Sequence, residues 1–186
     1  MTETRPANLR APPVRARGGD WVDDTRPIAF SFDGRAYTGL AGDTLASALL
    51  ANGVRVVGRS LKYHRPRGIL SAGFEEPNAL VQLGKGAHSE PNALATRVEI
   101  YDGMTATSVN RWPSLSHDVF AAFGLLARFM PAGFYYKTFL GSRVLWDRLY
   151  EPFLRRMAGF GRAPVGADPE NYDQRHLQCD VLVVGG

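Results

Sequence analysis

The stretch VRVVGRSLKYHRPRG gathers Arg55, Arg59, Lys62, His64, Arg65 and Arg67 around one aromatic, Tyr63. Lysine and arginine neutralise phosphate, and an aromatic ring can stack on a base, so a nucleic-acid surface is one reading. Only one aromatic lies inside the cluster, however, and the Arg-Pro-Arg-Gly unit is stiff. A second reading is a loop tied by salt bridges to nearby acids such as Glu75 and Glu76. A third is a contact on a partner domain or on its dinucleotide. The intramolecular reading leads, the partner reading follows, and nucleic acid comes last.

The segment CDVLVVGG, residues 179–186, offers another chemistry. Val181 to Val184 form a buried-strand run followed at once by Gly185 and Gly186. A dinucleotide-binding βαβ unit opens in this way, with a tight glycine turn leading to a helix whose N-terminal N–H groups hold the pyrophosphate. Only the first two positions of the G-x-G-x-x-G fingerprint can be read here. Gly185 and Gly186 are therefore the candidate cofactor-binding residues, for a dinucleotide.

Other reactive types lack companions. His64, His88, His117 and His176 show no metal-ligand spacing. Ser71, in ILSAG, lacks the G-x-S-x-G elbow of an activated nucleophile. The single cysteine, Cys179, excludes an internal disulfide and any cysteine-built zinc or iron–sulfur site within the chain, and it suits a reducing cytoplasm. No catalytic constellation and no metal site are expected.

Elements must position these groups. The chain has 186 residues, 45% hydrophobic and 22% charged with a net charge of +4, a globular composition with a modest basic excess. Residues 1–21 read as a flexible Arg/Pro-rich tail. Ile28, Phe30 and Phe32 alternate as a half-buried strand, Asp33-Gly34 signals a hairpin, and Arg35 to Leu40 returns as a second strand. Asp43 or Thr44 caps a helix through Leu45, Leu49 and Leu50, which Asn52-Gly53 ends. Further strands are expected at 79–83, 96–101 and 106–109, with Asp102-Gly103 as a turn. Residues 22–110 thus form a small α+β domain.

From Pro113 the character changes. Ser116 can cap a helix through Val119, Phe120, Phe123, Leu125, Leu126 and Phe129, stopped before Pro131. A second helical stretch is expected from Val144 to Met157. The apolar part of GLLARFMPAGFYY is too short to span a membrane and is broken by Arg128 and Pro131, so a buried helix followed by a loop that offers its aromatics to a protein partner is the better expectation. Residues 111–160 form a helical, aromatic-rich segment, 161–178 a linker, and 179–186 the first strand and glycine turn of a Rossmann-type domain. The N-terminus lacks the apolar core of a signal peptide.

Three stretches, FSFDGRAYTGLAGDTLASALLANG, RSLKYHRPRGILSAGFEEPNALVQL and the closing CDVLVVGG, together resemble the front of the alpha subunits of heterotetrameric sarcosine oxidases. The resemblance runs from about Trp21 to the last residue. It implies a cytoplasmic flavoprotein oxidase complex that demethylates sarcosine, a small-molecule amine, to glycine, hydrogen peroxide and a one-carbon unit for tetrahydrofolate. It implies NAD binding in the alpha subunit, flavin in the parent complex, and the other sarcosine oxidase subunits as partners. This chain would be a non-catalytic docking and structural portion. The alternatives are a freestanding basic module for protein or nucleic acid, and the front of a related flavin-dependent amine dehydrogenase.

The resemblance also implies a ferredoxin-like β-grasp fold. In related dehydrogenases the loop after R-P-R-G carries cluster cysteines. Plant-type C-x4-C-x2-C spacing, laid over this loop, falls on Ser71, Glu76 and Ala79. None of these replaces a thiolate on iron, so the expectation is a fold without an iron–sulfur cluster. Hydrogen bonds and packing around Phe74, Pro77 and Asn78 would then hold the loop, and the protein would be colourless.

Overall fold

The computed structural model describes residues 21–129, 141–159, 161, 163–167, 171–174, 176 and 178–183. The expected hairpin is formed by β1 (Asp23–Phe32) and β2 (Arg35–Ala41). It turns on Asp33 and Gly34, both at positive φ, 50° and 77°. That left-handed pair matches the twist of the strands it joins, which is why Asp-Gly is favoured there. Phe30 and Phe32 of β1 face the core, and Phe30 stacks on Tyr37 across the hairpin.

Helix α1 (Leu45–Ala51) follows. Thr44 is its N-cap, with Oγ1 accepting from Ser47 N–H. Asp43 supports the same turn, accepting from Leu40 N–H and from the Ser47 hydroxyl. Leu45 and Leu49 are fully buried against the sheet, each contributing about 1.5–3 kcal/mol by burial. Gly39 of β2 permits the close approach: a Cβ there would lie 2.4 Å from Ile100 Cδ1 and 3.0 Å from the Ala48 Cβ.

Three more strands complete the main sheet: β5 (Leu80–Leu83), β6 (Glu90–Leu94) and β7 (Met104–Ser108). The order is β2-β1-β7-β5-β6, with β1 and β7 parallel and the other pairs antiparallel. This is a mixed α+β domain with one helix packed on a twisted sheet, consistent with a ferredoxin-like domain. Asp33 fastens the end of β7 to the hairpin, accepting from Ser108 N–H, the Ser108 hydroxyl and Arg111.

The strand expected at 96–101 is not formed. Its place in the sheet is taken by β6, paired Val81 to Ala93 and Leu80 to Leu94. After Leu94 the chain turns, with Arg97 N–H bonding Leu94 O. Pro91 is tolerated in β6 because that strand is the sheet edge. A separate two-stranded ribbon, β3 (Gly58–Arg59) with β4 (Pro66–Arg67), was not legible beforehand.

The helix expected after Ser116 begins instead at Val119, as a 3₁₀ helix over Val119–Phe129. Asp118 precedes it and accepts from Phe120 N–H. The second helical stretch is present: a turn at Arg143–Leu145, a π-helical turn at Trp146–Tyr150, then α2 (Glu151–Ala158). Residues 179–183 form no strand, and Val181, Leu182 and Val183 are exposed. A strand needs a ladder partner, and no described strand lies beside them. No helix among the described residues is long and apolar enough to cross a membrane.

Candidate functional site

The structure divides the basic cluster in two. Its inward half centres on His64, which is 0% exposed. The β3–β4 ribbon and a tight turn carry it there: His64 N–H bonds Ser60 O, Arg65 N–H bonds the Ser60 hydroxyl, and His64 takes φ 49°. Its Nδ1 lies 2.7 Å from Asp118 Oδ2, while Asp118 Oδ1 accepts from Trp112 and Phe120 N–H. A carboxylate only accepts, so His64 Nδ1 carries the proton.

Arg59 closes this network. Its guanidinium donates to His64 O and Leu115 O, and its Nε lies 3.9 Å from Asp118 Oδ2. Asn110 donates to Arg59 O. Phe120 packs on the imidazole at 5.2 Å between ring centres. His64 Nε2 meets no hydrogen-bond partner among the described residues. Enclosed on all sides, the pair serves as a buried clasp between the KYHRPRG turn and the segment 110–120, with no opening for a substrate. Asp118 escaped sequence reasoning because it stands 54 residues from His64. Only its position before an apolar helical run hinted at a role.

The outward half is Arg55, Arg65 and Arg67, all exposed. Arg67 ends β4, and Arg65 lies in the turn just before it. Arg55 is adjacent, since a Cβ on Gly68 would lie 2.5 Å from Arg55 O. Lys62 and Arg65 flank the Tyr63 ring, each 5.0 Å from its centre. The expected salt bridges to Glu75 and Glu76 are not among the ion pairs of the described residues. Glu76 is instead committed to backbone amides.

That commitment shapes loop 69–79. Glu76 is 4% exposed. Its Oε2 accepts from Leu70 and Ser71 N–H, each at 2.6 Å, and its Oε1 from Asn78 N–H at 2.8 Å. Burial alone would push the Glu76 carboxyl up; the amides of Ser71, Asn78 and Leu70 and the Ser71 hydroxyl outweigh it and hold the carboxyl below its ordinary range. Thr96 Oγ1 donates to Gly73 O, pinning the loop tip. Leu70 and Phe74 point outward, 77% and 75% exposed, and Arg97 covers the Phe74 ring at 3.8 Å.

The other histidines are unremarkable in chemistry. His88, His117 and His176 are exposed, His117 beside the Ser116 hydroxyl. Cys179 is an exposed free thiol. No group of three metal-ligating side chains occurs among the described residues. An open groove of about 1070 Å³ borders Ser108, Arg111, Trp112 and Arg155. Its arginines are already paired, Arg111 with Asp33 and Arg155 with Glu151. Gly185 and Gly186 lie outside the described residues.

A family profile described as "2Fe-2S iron-sulfur cluster binding domain" matches residues 25–111. The matched segment contains no cysteine, since the single one is Cys179. A [2Fe–2S] cluster of the ferredoxin type takes four thiolates. At the positions that ligand spacing selects, Ser71 and Glu76 are joined to each other and Ala79 is a buried methyl. These residues do not fit the cluster.

Three curated relatives match most of the chain. The alpha subunit of sarcosine oxidase from Rhizobium meliloti (strain 1021) is 58% identical over 164 residues, 88% of this chain. The alpha subunits from two Corynebacterium strains are 31% and 32% identical over 90% and 88% of it. The chain spans only 17%, 13% and 12% of those relatives' lengths. Among solved structures, L-proline dehydrogenase from P. horikoshii is similar at 22% identity, with a TM-score of 0.35, over 53% of this chain and 17% of that one. That likeness is too slight to carry an argument. Over nearly its whole length, in a segment that includes the buried His64 clasp and the Glu76 loop, the chain belongs to the sarcosine oxidase alpha-subunit family.

Proposed function

We propose that the chain is the docking and structural portion of a sarcosine oxidase alpha subunit. The parent complex oxidatively demethylates sarcosine to glycine, releasing hydrogen peroxide and a one-carbon unit for tetrahydrofolate. Flavin, NAD and folate belong to that complex, and Gly185 and Gly186 to the glycine turn of its NAD site. This portion is non-catalytic and carries no iron–sulfur cluster. The observation that carries the reading is the 58% identity across 88% of the chain.

The geometry supports a docking role. The titratable groups that come together, His64 Nδ1 with Asp118 and Glu76 with its amides, are buried and engaged with one another or with the backbone. The groups left at the surface are of the kind that partners bury: Arg55, Arg65 and Arg67 beside the apolar Leu70 and Phe74. They stand on a ribbon and a loop that are each fixed from inside.

The test is to place this chain in the Rhizobium meliloti enzyme in exchange for its 58% identical segment. An assembled, flavin-containing complex that releases peroxide from sarcosine supports the reading. A folded alpha subunit that fails to assemble with its partners contradicts it. Tight, salt-sensitive binding of DNA or RNA by the chain would instead favour a basic nucleic-acid module.

A further inference from the structure

We propose that the Glu76 carboxylate is the template on which loop 69–79 folds, a resident anion within a segment that matches a cluster-binding family yet holds no cysteine. This rests on the cluster-free reading above and deepens it by naming the residue that replaces the metal.

Three observations converge. First, the amides that Glu76 collects come from both limbs of the loop, Leu70 and Ser71 on entry and Asn78 on exit. One side chain therefore closes the loop, as a metal closes one by bridging its ends. Second, both carboxylate oxygens are used, and the residue is buried. A buried carboxylate is costly unless paired or hydrogen-bonded, so the converging amides and the anion require one another. Third, the segment matched to a cluster-binding family has no thiolate to offer.

The replacement has a plain physical logic. Sulfurs of iron–sulfur clusters also accept hydrogen bonds from the protein, and these tune their potentials. Successive backbone N–H groups in a loop make a concavity for an anion of any origin. A loop without thiolates still carries those N–H groups, which would be buried without partners. A glutamate within the same loop satisfies them and leaves its outer face, Leu70 and Phe74, in a fixed presentation.

Two measurements separate this proposal from the reading on which it rests. The purified chain is incubated with ferrous iron and sulfide, and iron content and visible absorption are measured. Iron below stoichiometric amounts and no charge-transfer bands are expected. A stoichiometric, coloured cluster would overturn both. Amide hydrogen exchange followed by NMR then tests Glu76 itself. In the wild-type chain the Leu70, Ser71 and Asn78 amides are expected to be protected although none belongs to a helix or strand ladder. Glu76→Gln leaves one acceptor oxygen and turns an NH2 group toward the amides. Protection at these sites should fall by about tenfold or more while sheet amides such as Val81 and Ala106 keep theirs. Unprotected amides in the wild type, or unchanged protection in a folded Glu76→Gln chain, would overturn the template role while leaving the cluster-free reading intact. If Glu76→Gln does not fold, the wild-type exchange decides.

Discussion

His64 Nδ1 and Asp118 Oδ2 lie 2.7 Å apart with both side chains fully buried, joining residues 54 apart in sequence. Asp118 also accepts from the backbone of Trp112 and Phe120, so one carboxylate ties the KYHRPRG turn to the start of the 3₁₀ helix. Removing it strands three donors and leaves the Arg59 guanidinium 3.9 Å from an empty corner. Asp118→Ala is expected to cost about 3 kcal/mol of stability, measured by urea unfolding, in line with breaking a buried pair from one side. A loss below about 0.5 kcal/mol would mean that the clasp is not structural.

Gly39 is required by space rather than by backbone conformation. A methyl there meets Ile100 Cδ1 at 2.4 Å. Gly39→Ala is expected to destabilise by about 1–3 kcal/mol, the usual cost of overpacking. Ile100→Val removes the offending atom, so the double variant should lose less than the sum of the two single losses. Strict additivity in urea midpoints would contradict the contact.

The Glu76 carboxyl makes stability depend on acid. Its folded value lies below its unfolded one, so its contribution is fully present above the unfolded value, about 4.3 for glutamate, and is lost as the pH falls through the folded value. Between neutral pH and that window, stability should show no slope from this group. Glu76→Gln should flatten the acid limb of a plot of unfolding free energy against pH. An acid limb identical to the wild type would show that Glu76 is not differentially bound.

Local signals made much of this fold readable. Asp33-Gly34, the alternation of Ile28, Phe30 and Phe32, and the cap before Leu45 act through neighbours, and each stands where expected. The errors came where the outcome depended on distant pairing. Residues 96–101 have a strand's composition, but the ladder beside β5 is filled by 90–94. The two-residue strands β3 and β4 have no periodicity to read. The site shows the same division. Arg55, Arg65 and Arg67 are outward, as a charge run suggests, whereas Arg59 and His64 turn inward because Asp118 waits for them. Glu76 looked like a counter-ion for arginine, yet its nearest donors are the amides of its own loop.

The central claim is that this chain docks within a sarcosine oxidase through its basic, apolar-edged face. The most direct measurement is assembly and peroxide release of the Rhizobium meliloti enzyme carrying this chain in place of its own segment, with and without Arg55→Glu, Arg65→Glu and Arg67→Glu. The unaltered exchange is expected to assemble and turn over sarcosine. The triple variant, whose exposed arginines add little to the fold, should remain within about 0.5 kcal/mol in stability yet fail to assemble. Equal assembly and equal peroxide from both would contradict the claim.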